Sequence, residues 1–274
     1  MDDADASERD PAFISRVLPA VVSALSYFDP EVHGFERIPE PGPVLIVANH
    51  SGGIFMPDFW TFWSHWARER GPADPLYCLG FDLLFQVPPV ARFVRRIGVV
   101  PASPERAARL LDEGCSVLVY PGGDEDAYRP WTERHRIDLR GRTGFVRLAL
   151  AGGVPVVPLV SHGSHEALIV ISRGEAAARR LGLRRLRVNI LPVMVGPPWP
   201  LPAKVDLQVC EPLDWSRHGP AGADDPVVVR HCYEEILGRM QAALDDLVAG
   251  TPHPVMARLM DPARHGSRDR HDRV

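Results

Sequence analysis

The chain has 274 residues, of which 45% are hydrophobic, and this is enough for one large domain with a substantial core. Its formal net charge is −4, and Lys204 is the single lysine, so no nucleic-acid-binding surface is expected. The four cysteines show no Cys-x-x-Cys pairing, which argues against a zinc site or a disulfide framework and suits a reducing cytosol.

The N-terminal residues divide into two segments of opposite character. Residues 1–10 are acidic, lack the basic start of a secretory signal and are predicted to form a disordered tail. Residues 11–28 are apolar, but they contain Arg16 and Pro19 and fall short of the roughly 20 residues that cross a bilayer. Two interpretations stay open: a helix that lies on a membrane, and a helix that packs on the protein's own core.

Predicted strands and helices alternate through the rest of the chain. Strands are predicted at 31–38, 44–48, 76–79, 115–120, 154–160 and 205–209, and helices at 59–70, 89–96, 103–113, 144–151 and 231–248. The alternation predicts an α/β fold with a mixed, largely parallel central sheet flanked by helices, preceded by the apolar N-terminal helix. Residues 29–250 are expected to form the domain, and 251–274 a largely disordered tail.

A histidine and an aspartate follow the predicted strand at 44–48. His50 enters a Gly-Gly loop, and Asp58 follows Pro57 at the start of the next helix. The two side chains can therefore meet across the turn. A carboxylate on one ring nitrogen fixes the tautomer of a histidine, so that the other nitrogen can take a proton from a substrate hydroxyl. A chance pairing of a loop histidine with a helix-capping aspartate is the alternative.

A second glycine-rich loop, 120–129, follows the predicted strand at 115–120. Gly122 and Gly123 permit positive φ angles, and their backbone N–H groups are expected to contact an anion or an oxyanion. Taken alone, the loop is more typical of an ordinary turn with a solvated acidic patch. Two such loops at strand ends of one sheet can border a single crevice.

Two further segments have open interpretations. Between 175 and 195, a basic stretch precedes an apolar run, which suits either an anionic lipid surface or a solvated helix followed by a core strand. The basic residues are Arg179, Arg180, Arg184, Arg185 and Arg187. Residues 161–165, Ser-His-Gly-Ser-His, offer the groups of a serine hydrolase, but they lack Gly-x-Ser-x-Gly.

Four blocks in order, at 50–58, 96–104, 120–125 and 154–158, resemble those of the glycerolipid acyltransferase superfamily, of the lysophosphatidate acyltransferase type. The resemblance covers about residues 30–215. The first block of that family is normally His, four residues and Asp. Here seven residues separate His50 from Asp58, a lengthened form similar to the branch that shares features with diacylglycerol acyltransferases.

The resemblance implies roles for individual residues. It makes His50 the general base and Asp58 the carboxylate that orients it. In the third block, the common form Phe-Pro-Glu-Gly-Thr-Arg contributes a Glu and an Arg associated with the acceptor's glycerol phosphate. Here Gly122 replaces that Glu and the Arg is absent, so Arg129 or Arg142 is the candidate phosphate ligand, because an arginine fork matches phosphate geometry.

The resemblance also implies a function. The protein is expected to move a fatty acyl group from acyl-CoA or acyl carrier protein, used as a co-substrate, to a hydroxyl of a glycerolipid or lysophospholipid. No metal, cofactor or nucleic acid is expected to take part. The expected location is the cytoplasm, in peripheral contact with the inner face of the cell membrane. The alternative is a non-catalytic, membrane-docked lipid-binding protein of the same fold.

Overall fold

The computed structural model describes residues 8–183, 190–197 and 199–260. The strands are β1 (Glu31–His33), β2 (Leu45–Ala48), β3 (Leu76–Gly80), β4 (Val99–Pro101), β5 (Ser116–Val119), β6 (Val156–His162), β7 (Ile169–Ser172), β8 (Val193–Val195) and β9 (Asp206–Val209). The helices are α1 (Pro11–Leu25), α2 (Pro57–Glu69), α3 (Pro88–Arg96), α4 (Pro104–Asp112), α5 (Gly123–Ala127), α6 (Gly144–Gly152), α7 (Glu175–Arg180), α8 (Pro226–Gly250) and α9 (Pro254–Met260).

Seven strands form one sheet in the order β1-β9-β6-β2-β5-β3-β4. Strands β7 and β8 form a separate two-stranded antiparallel sheet. Every neighbouring pair in the large sheet is parallel except β6 and β9. The predicted fold class, a mixed and largely parallel sheet flanked by helices, is therefore confirmed.

Helices cover both faces of the sheet and create two cores. Residues of β2 show the division, since Leu45 and Val47 pack into one core and Ile46 and Ala48 into the other. The first core receives side chains from α4, α6 and α8, and the second receives them from α1, α2 and α3. The alternation of side chains along a strand explains this three-layer arrangement. A strand buried on both faces reads as a continuous apolar run, and for this reason β2 was recognisable in the sequence.

The strand predicted at 31–38 is shorter in the structure. Residues 31–33 form β1, and a 3₁₀ turn, Phe35–Arg37, follows. Gly34 lies between them with φ = 72°, and a Cβ added there would come within 2.6 Å of the backbone oxygen of Val209. The close approach of the neighbouring strand therefore ends β1 at a position that only glycine can occupy without strain.

The apolar N-terminal segment forms α1 and a short 3₁₀ turn up to Phe28. Asp10 caps the helix by accepting from the Phe13 N–H at 2.9 Å, and its carboxylate also pairs with Arg96 at 2.7 Å. Ile14 and Leu25 are buried in the core, yet only 17% of the 18-residue stretch is buried. By length and composition alone the stretch can also cross a membrane, which is weak support for a membrane role. One side of the helix packs on the protein and the rest is exposed.

The structure also describes two segments outside the main sheet. Of the two interpretations of the run 190–195, a core strand does not apply, because the side chains of β8 are exposed in a two-stranded antiparallel sheet. The tail predicted from residue 251 contains α9, which is held by the Lys204 N–H on Pro254 O and by Arg258 on two backbone oxygens of the 26–27 turn. Residues 1–7, 261–274 and the arginines at 184, 185 and 187 lie outside the described residues.

Candidate active site

Three strand ends converge at one edge of the sheet. In the parallel pair β2 and β5, Val47 stands opposite Val119, so His50 and Gly122 lie the same distance beyond the two strands. Strand β6 flanks β2 on the other side, and the Asn49 side chain bonds both the N–H and the C=O of Ser161, at 2.8 and 3.0 Å. The carboxyl ends of parallel strands are where open α/β sheets bind their ligands.

The structure brings His50 and Asp58 together. Nδ1 of His50 lies 2.8 Å from Oδ2 of Asp58, and the same oxygen accepts the Ser51 N–H at 3.0 Å. Asp58 is buried in the first turn of α2, where the helix dipole favours a carboxylate. The other oxygen, Oδ1, is buried without a hydrogen-bonding partner among the described residues. The predicted contact is thus present, with the carboxylate placed to hold one ring nitrogen.

The lengthened first block still allows His50 to contact Asp58, because its extra residues form an outward turn. Gly52 has φ = 79°, Gly53 to Phe55 form a 3₁₀ turn, and Met56 has φ = 45° just before α2. A Cβ at Gly52 would come within 2.5 Å of the Pro57 ring. The exposed side chain of Ile54 stands at the tip of this turn. The loop therefore absorbs the added length without moving Asp58 away from His50.

Opposing influences set the pKa of His50. Burial lowers it, but the charge of Asp58 and its hydrogen bond raise it more, with smaller contributions from Asp126 and Asp124, and the net result is a raised pKa. The described residues give Nε2 of His50 no hydrogen-bonding partner. The Tyr120 ring packs against the imidazole with centroids 4.4 Å apart. Nε2 is therefore the nitrogen available to a substrate.

Asp126 is a site residue that sequence reasoning missed. Its Oδ2 accepts the backbone N–H of His50 at 2.6 Å, which fixes the chain at the base of the imidazole. Its other oxygen, Oδ1, accepts Nε of Arg129 at 3.0 Å. Burial raises the pKa of Asp126 above its usual value, although Arg129 acts in the opposite direction. Asp126 lies one turn after Gly122 in an acidic stretch that was interpreted only as a solvated patch.

The structure places the side chain of Arg129, a predicted phosphate ligand, inside the protein. The side chain is fully buried, pairs with Asp126 and donates to the backbone oxygen of Arg136. A guanidinium that already neutralises a buried carboxylate cannot turn toward a bound phosphate without leaving that carboxylate uncompensated. Arg129 supports the site from beneath and does not face it.

The two glycines of the third block do different things. A Cβ on Gly122 would come within 2.3 Å of the Asp126 Cβ, so the missing side chain at 122 makes room for Asp126. The N–H of Gly123 donates to Tyr120 O at 3.0 Å, so it already has a partner within the turn. The Gly122 N–H has no such partner among the described residues and remains a candidate donor.

Arg142 lies at the rim of the site. Its side chain is 43% exposed and contacts Glu125 at 3.2 Å and the Pro121 backbone oxygen at 2.9 Å. Glu125 also pairs with Arg140 at 2.6 Å. Arg142 is thus positioned beside Gly123 by a carboxylate that it shares with Arg140, and of the two predicted phosphate ligands it is the one that is accessible to solvent.

The segment 161–165 does not form a serine hydrolase site. The Ser161 hydroxyl lies 3.1 Å from that of Ser164, and Nε2 of His162 contacts the Thr251 backbone oxygen at 2.8 Å. Nε2 of His165 is buried without a partner. Among residues 8–183, 190–197 and 199–260, neither serine hydroxyl contacts a histidine, so the nucleophile and base that such an enzyme needs are not paired.

The fold agrees with the comparisons to known proteins. Residues 29–162 match the family described as Acyltransferase. The chain belongs to the Acyltransferase family. Its fold resembles the crystal structure of the 1-acyl-sn-glycerophosphate (LPA) acyltransferase PlsC from Thermotoga maritima, with a TM-score of 0.54 and 20% identity over 86% of this chain and 80% of that chain.

Relatives by sequence come from bacteria and vertebrates. An uncharacterized protein of Mycobacterium tuberculosis is 31% identical over 246 residues, which are 88% of this chain and 68% of the relative. A Gallus gallus protein named DGAT1/2-independent enzyme synthesizing storage lipids is 28% identical over 220 residues, 80% of this chain and 58% of that protein. The chain therefore spans less than two thirds of this vertebrate relative.

Proposed function

We propose that the protein transfers a fatty acyl group from the thioester of acyl-CoA or acyl carrier protein to a hydroxyl group of a glycerolipid, with His50 as general base. The observation that carries the proposal is the 2.8 Å contact between Nδ1 of His50 and the buried Asp58 carboxylate, in a chain of an acyltransferase family. The contact occupies Nδ1 and leaves Nε2 without a hydrogen-bonding partner among the described residues.

The reaction needs no covalent enzyme intermediate. Nε2 of His50 takes the proton of the acceptor hydroxyl as its oxygen attacks the thioester carbonyl carbon. The resulting oxyanion is stabilised by the Gly122 N–H, and a donor of this kind typically contributes about 3 kcal/mol. The carbon–sulfur bond then breaks, and the imidazolium returns its proton to the leaving thiolate. Asp58 stabilises the imidazolium in between.

We further propose an uncharged acylglycerol as the preferred acceptor. The Glu and Arg that the family associates with glycerol phosphate are absent from the third block. Arg129 is buried against Asp126, and Arg142 forms an ion pair with Glu125. The relatives named as storage-lipid-synthesizing enzymes support the same choice. Lysophosphatidate and lysophospholipids are the competing acceptors.

An acceptor panel tests this proposal. Purified protein is given long-chain acyl-CoA with monoacylglycerol, diacylglycerol, lysophosphatidate or lysophospholipid, and CoA release and product mass are measured. We expect faster acylation of the uncharged acceptors, and Arg142→Gln should leave that rate within about twofold, since no phosphate needs its charge. Arg230→Gln, on the exposed side of α8, is the matched control. A preference for lysophosphatidate that Arg142→Gln abolishes would contradict the uncharged acceptor and assign Arg142 to phosphate.

Peripheral contact with the cytoplasmic face of the membrane is part of the proposal. The large apolar side chains of α1 pack on the protein, as Phe13 does on Phe93 of α3 with ring centroids 5.7 Å apart, although only 17% of the apolar stretch that contains the helix is buried. The exposed side chains of Leu83, Val87 and Val90 extend the apolar surface along the turn before α3 and α3 itself. Apolar side chains beside arginines suit the interface where lipid acceptors reside.

The pH dependence of the reaction follows from the pKa of His50. A general base must be neutral to accept a proton, and the pKa of His50 is raised above its ordinary 6.5 chiefly by Asp58, which overcomes the effect of burial. We therefore expect kcat/KM to fall as the pH decreases through a value above 6.5. Asp58→Asn should move this acidic limb to lower pH while also lowering the plateau. An acidic limb unchanged in Asp58→Asn would show that this pair does not set it.

A further inference from the structure

A second group of titratable side chains lies near the end of β6, outside the machinery described above. His162 is the last residue of β6, Glu166 follows in the next turn, and His135 comes from the segment between α5 and α6. One ligand atom from each of the three residues lies within 4.8 Å of the other two. Nε2 of His135 is 3.2 Å from Oε1 of Glu166. Two separate parts of the chain thus bring two imidazoles and one carboxylate close together.

The burial of two of these three side chains favours a bound cation. His162 and Glu166 are buried, so the Glu166 carboxylate has little solvent to balance its charge. Oε1 of Glu166 lies 3.2 Å from Nε2 of His135, so the buried carboxylate and one imidazole are already in contact.

The ring of His162 is also oriented as a metal ligand requires. Nε2 of His162 lies 2.8 Å from the Thr251 backbone oxygen, which can only accept, so this nitrogen carries the proton and Nδ1 keeps its lone pair. The backbone oxygen of His135 accepts the Gln241 side-chain amide at 3.0 Å, which anchors that residue. A metal-binding histidine typically donates its other N–H to a carbonyl in this way.

We propose that His135, His162 and Glu166 bind a divalent transition-metal ion, with Zn²⁺ as the best match. Two imidazoles and one carboxylate are a known zinc ligand set that leaves a fourth tetrahedral position for water. Bonds of about 2.0–2.1 Å in tetrahedral geometry place ligand atoms roughly 3.4 Å apart. The 3.2 Å between His135 and Glu166 agrees with that spacing, and the remaining separations, up to 4.8 Å, need a small inward movement.

Arg134 competes with the ion for Glu166, and a second cluster of similar residues provides a control variant. Arg134 places Nε 3.5 Å from Oε1 of Glu166, so an incoming ion shares this carboxylate with a guanidinium. Glu31, His33 and Asp206 form a similar group elsewhere, but there Nζ of Lys204 lies 2.7 Å from Glu31 and 3.2 Å from Asp206. That second group already contains its cation, and His33→Ala is therefore a matched control.

The ion would join the segment between α5 and α6 to β6. Arg136 in this segment gives its backbone oxygen to Arg129, which pairs with Asp126 beneath His50. We expect metal binding to stabilise the fold and not to enter the acyl-transfer chemistry. The inference is therefore independent of the proposed function, and its test does not measure activity.

The experiment uses the full chain, purified without a histidine tag, treated with a chelator and dialysed. Zn²⁺ is titrated calorimetrically, and Tm is measured with and without the ion. We expect one Zn²⁺ per chain at this site and a rise in Tm, since a ligand that binds only the native state stabilises it. Glu166→Gln and His135→Gln should each weaken binding by more than about tenfold and remove the rise in Tm. His33→Ala should change neither result.

Two outcomes would overturn the inference. One is the absence of saturable Zn²⁺ binding to the wild-type chain. The other is equal binding by wild type, Glu166→Gln and His135→Gln, which would place the ion on other groups, such as the histidines at 265 and 271 outside the described residues. Glu166→Gln keeps the size and shape of the side chain, and circular dichroism of each variant shows whether a lost signal reflects lost folding.

Discussion

Replacement of Arg129 by methionine is expected to lower the free energy of unfolding by about 3–5 kcal/mol, because it leaves the Asp126 carboxylate buried without its partner. Both side chains are fully buried, and Nε of Arg129 lies 3.0 Å from Oδ1 of Asp126. Methionine fills much of the same volume, so the decrease in the free energy of unfolding comes more from the missing charge than from a cavity. The effect should extend to the active site, since Asp126 also holds the His50 backbone.

Urea unfolding of the wild type and Arg129→Met measures this loss. Arg230→Met is the matched control, since Arg230 forms an exposed i,i+4 pair with Glu234 at 2.8 Å, and it should change stability little. The double variant Asp126→Asn with Arg129→Met should recover part of the stability, because no uncompensated charge remains. If Arg129→Met unfolds at the same urea concentration and slope as the wild type, the buried pair does not stabilise this fold.

Replacement of His50 by alanine is expected to lower turnover by about 10²–10⁴-fold, the usual contribution of a positioned general base. Asp58→Asn should cause a smaller loss, because the base remains but loses the carboxylate that fixes its tautomer and stabilises the imidazolium. The Asp58 carboxylate also accepts the Ser51 N–H, so part of this loss reflects a less ordered loop.

Initial rates of CoA release at saturating acceptor measure these losses. His231→Ala, an exposed histidine on α8, is the control and should retain the wild-type rate. Thermal unfolding of each variant separates a lost base from a lost fold. A folded His50→Ala protein with the wild-type rate would assign the proton transfer to another group.

The parts of the site that follow strand ends could be predicted from the sequence. Strand β2 is a continuous apolar run, and a histidine directly after it must lie at the sheet edge, whatever the rest of the fold does. The contact with Asp58 was predictable because a single turn joins the two residues. The sequence did not show whether the longer turn keeps His50 and Asp58 within contact distance. The positive φ angles at Gly52 and Met56 explain how it does.

The parts that depend on side-chain orientation were not predictable. Arg129 and Arg142 look equivalent in the sequence, yet one is buried against Asp126 and the other is exposed at the rim. Helical spacing alone offered a signal, because Asp126 is one turn after Gly122 and could occupy the space of the missing side chain. Likewise, residues 135 and 166 are 31 positions apart, and only the folded chain shows that they meet.

Strand β8, which is apolar but exposed, shows what hydrophobic patterning cannot predict. An apolar run predicts burial, but it does not say whether the covering surface is the protein's own core or something outside it. The side chains of Val193, Met194 and Val195 have no core to enter, because β8 pairs only with β7 in the described part of the chain. The sequence could state the alternatives there and could not choose between them.

The most direct test of the central claim is product mass spectrometry of wild type and His50→Ala, each incubated with acyl-CoA and diacylglycerol or monoacylglycerol in anionic vesicles, with the vesicle-bound fraction measured in parallel. We expect an acylated product from the wild type, a fall to about 1% of that amount or less in the variant, and equal vesicle binding by both. Equal product from both proteins would contradict the role of His50. Vesicle binding without product from the wild type would contradict acyl transfer itself and favour a lipid-binding protein of the same fold.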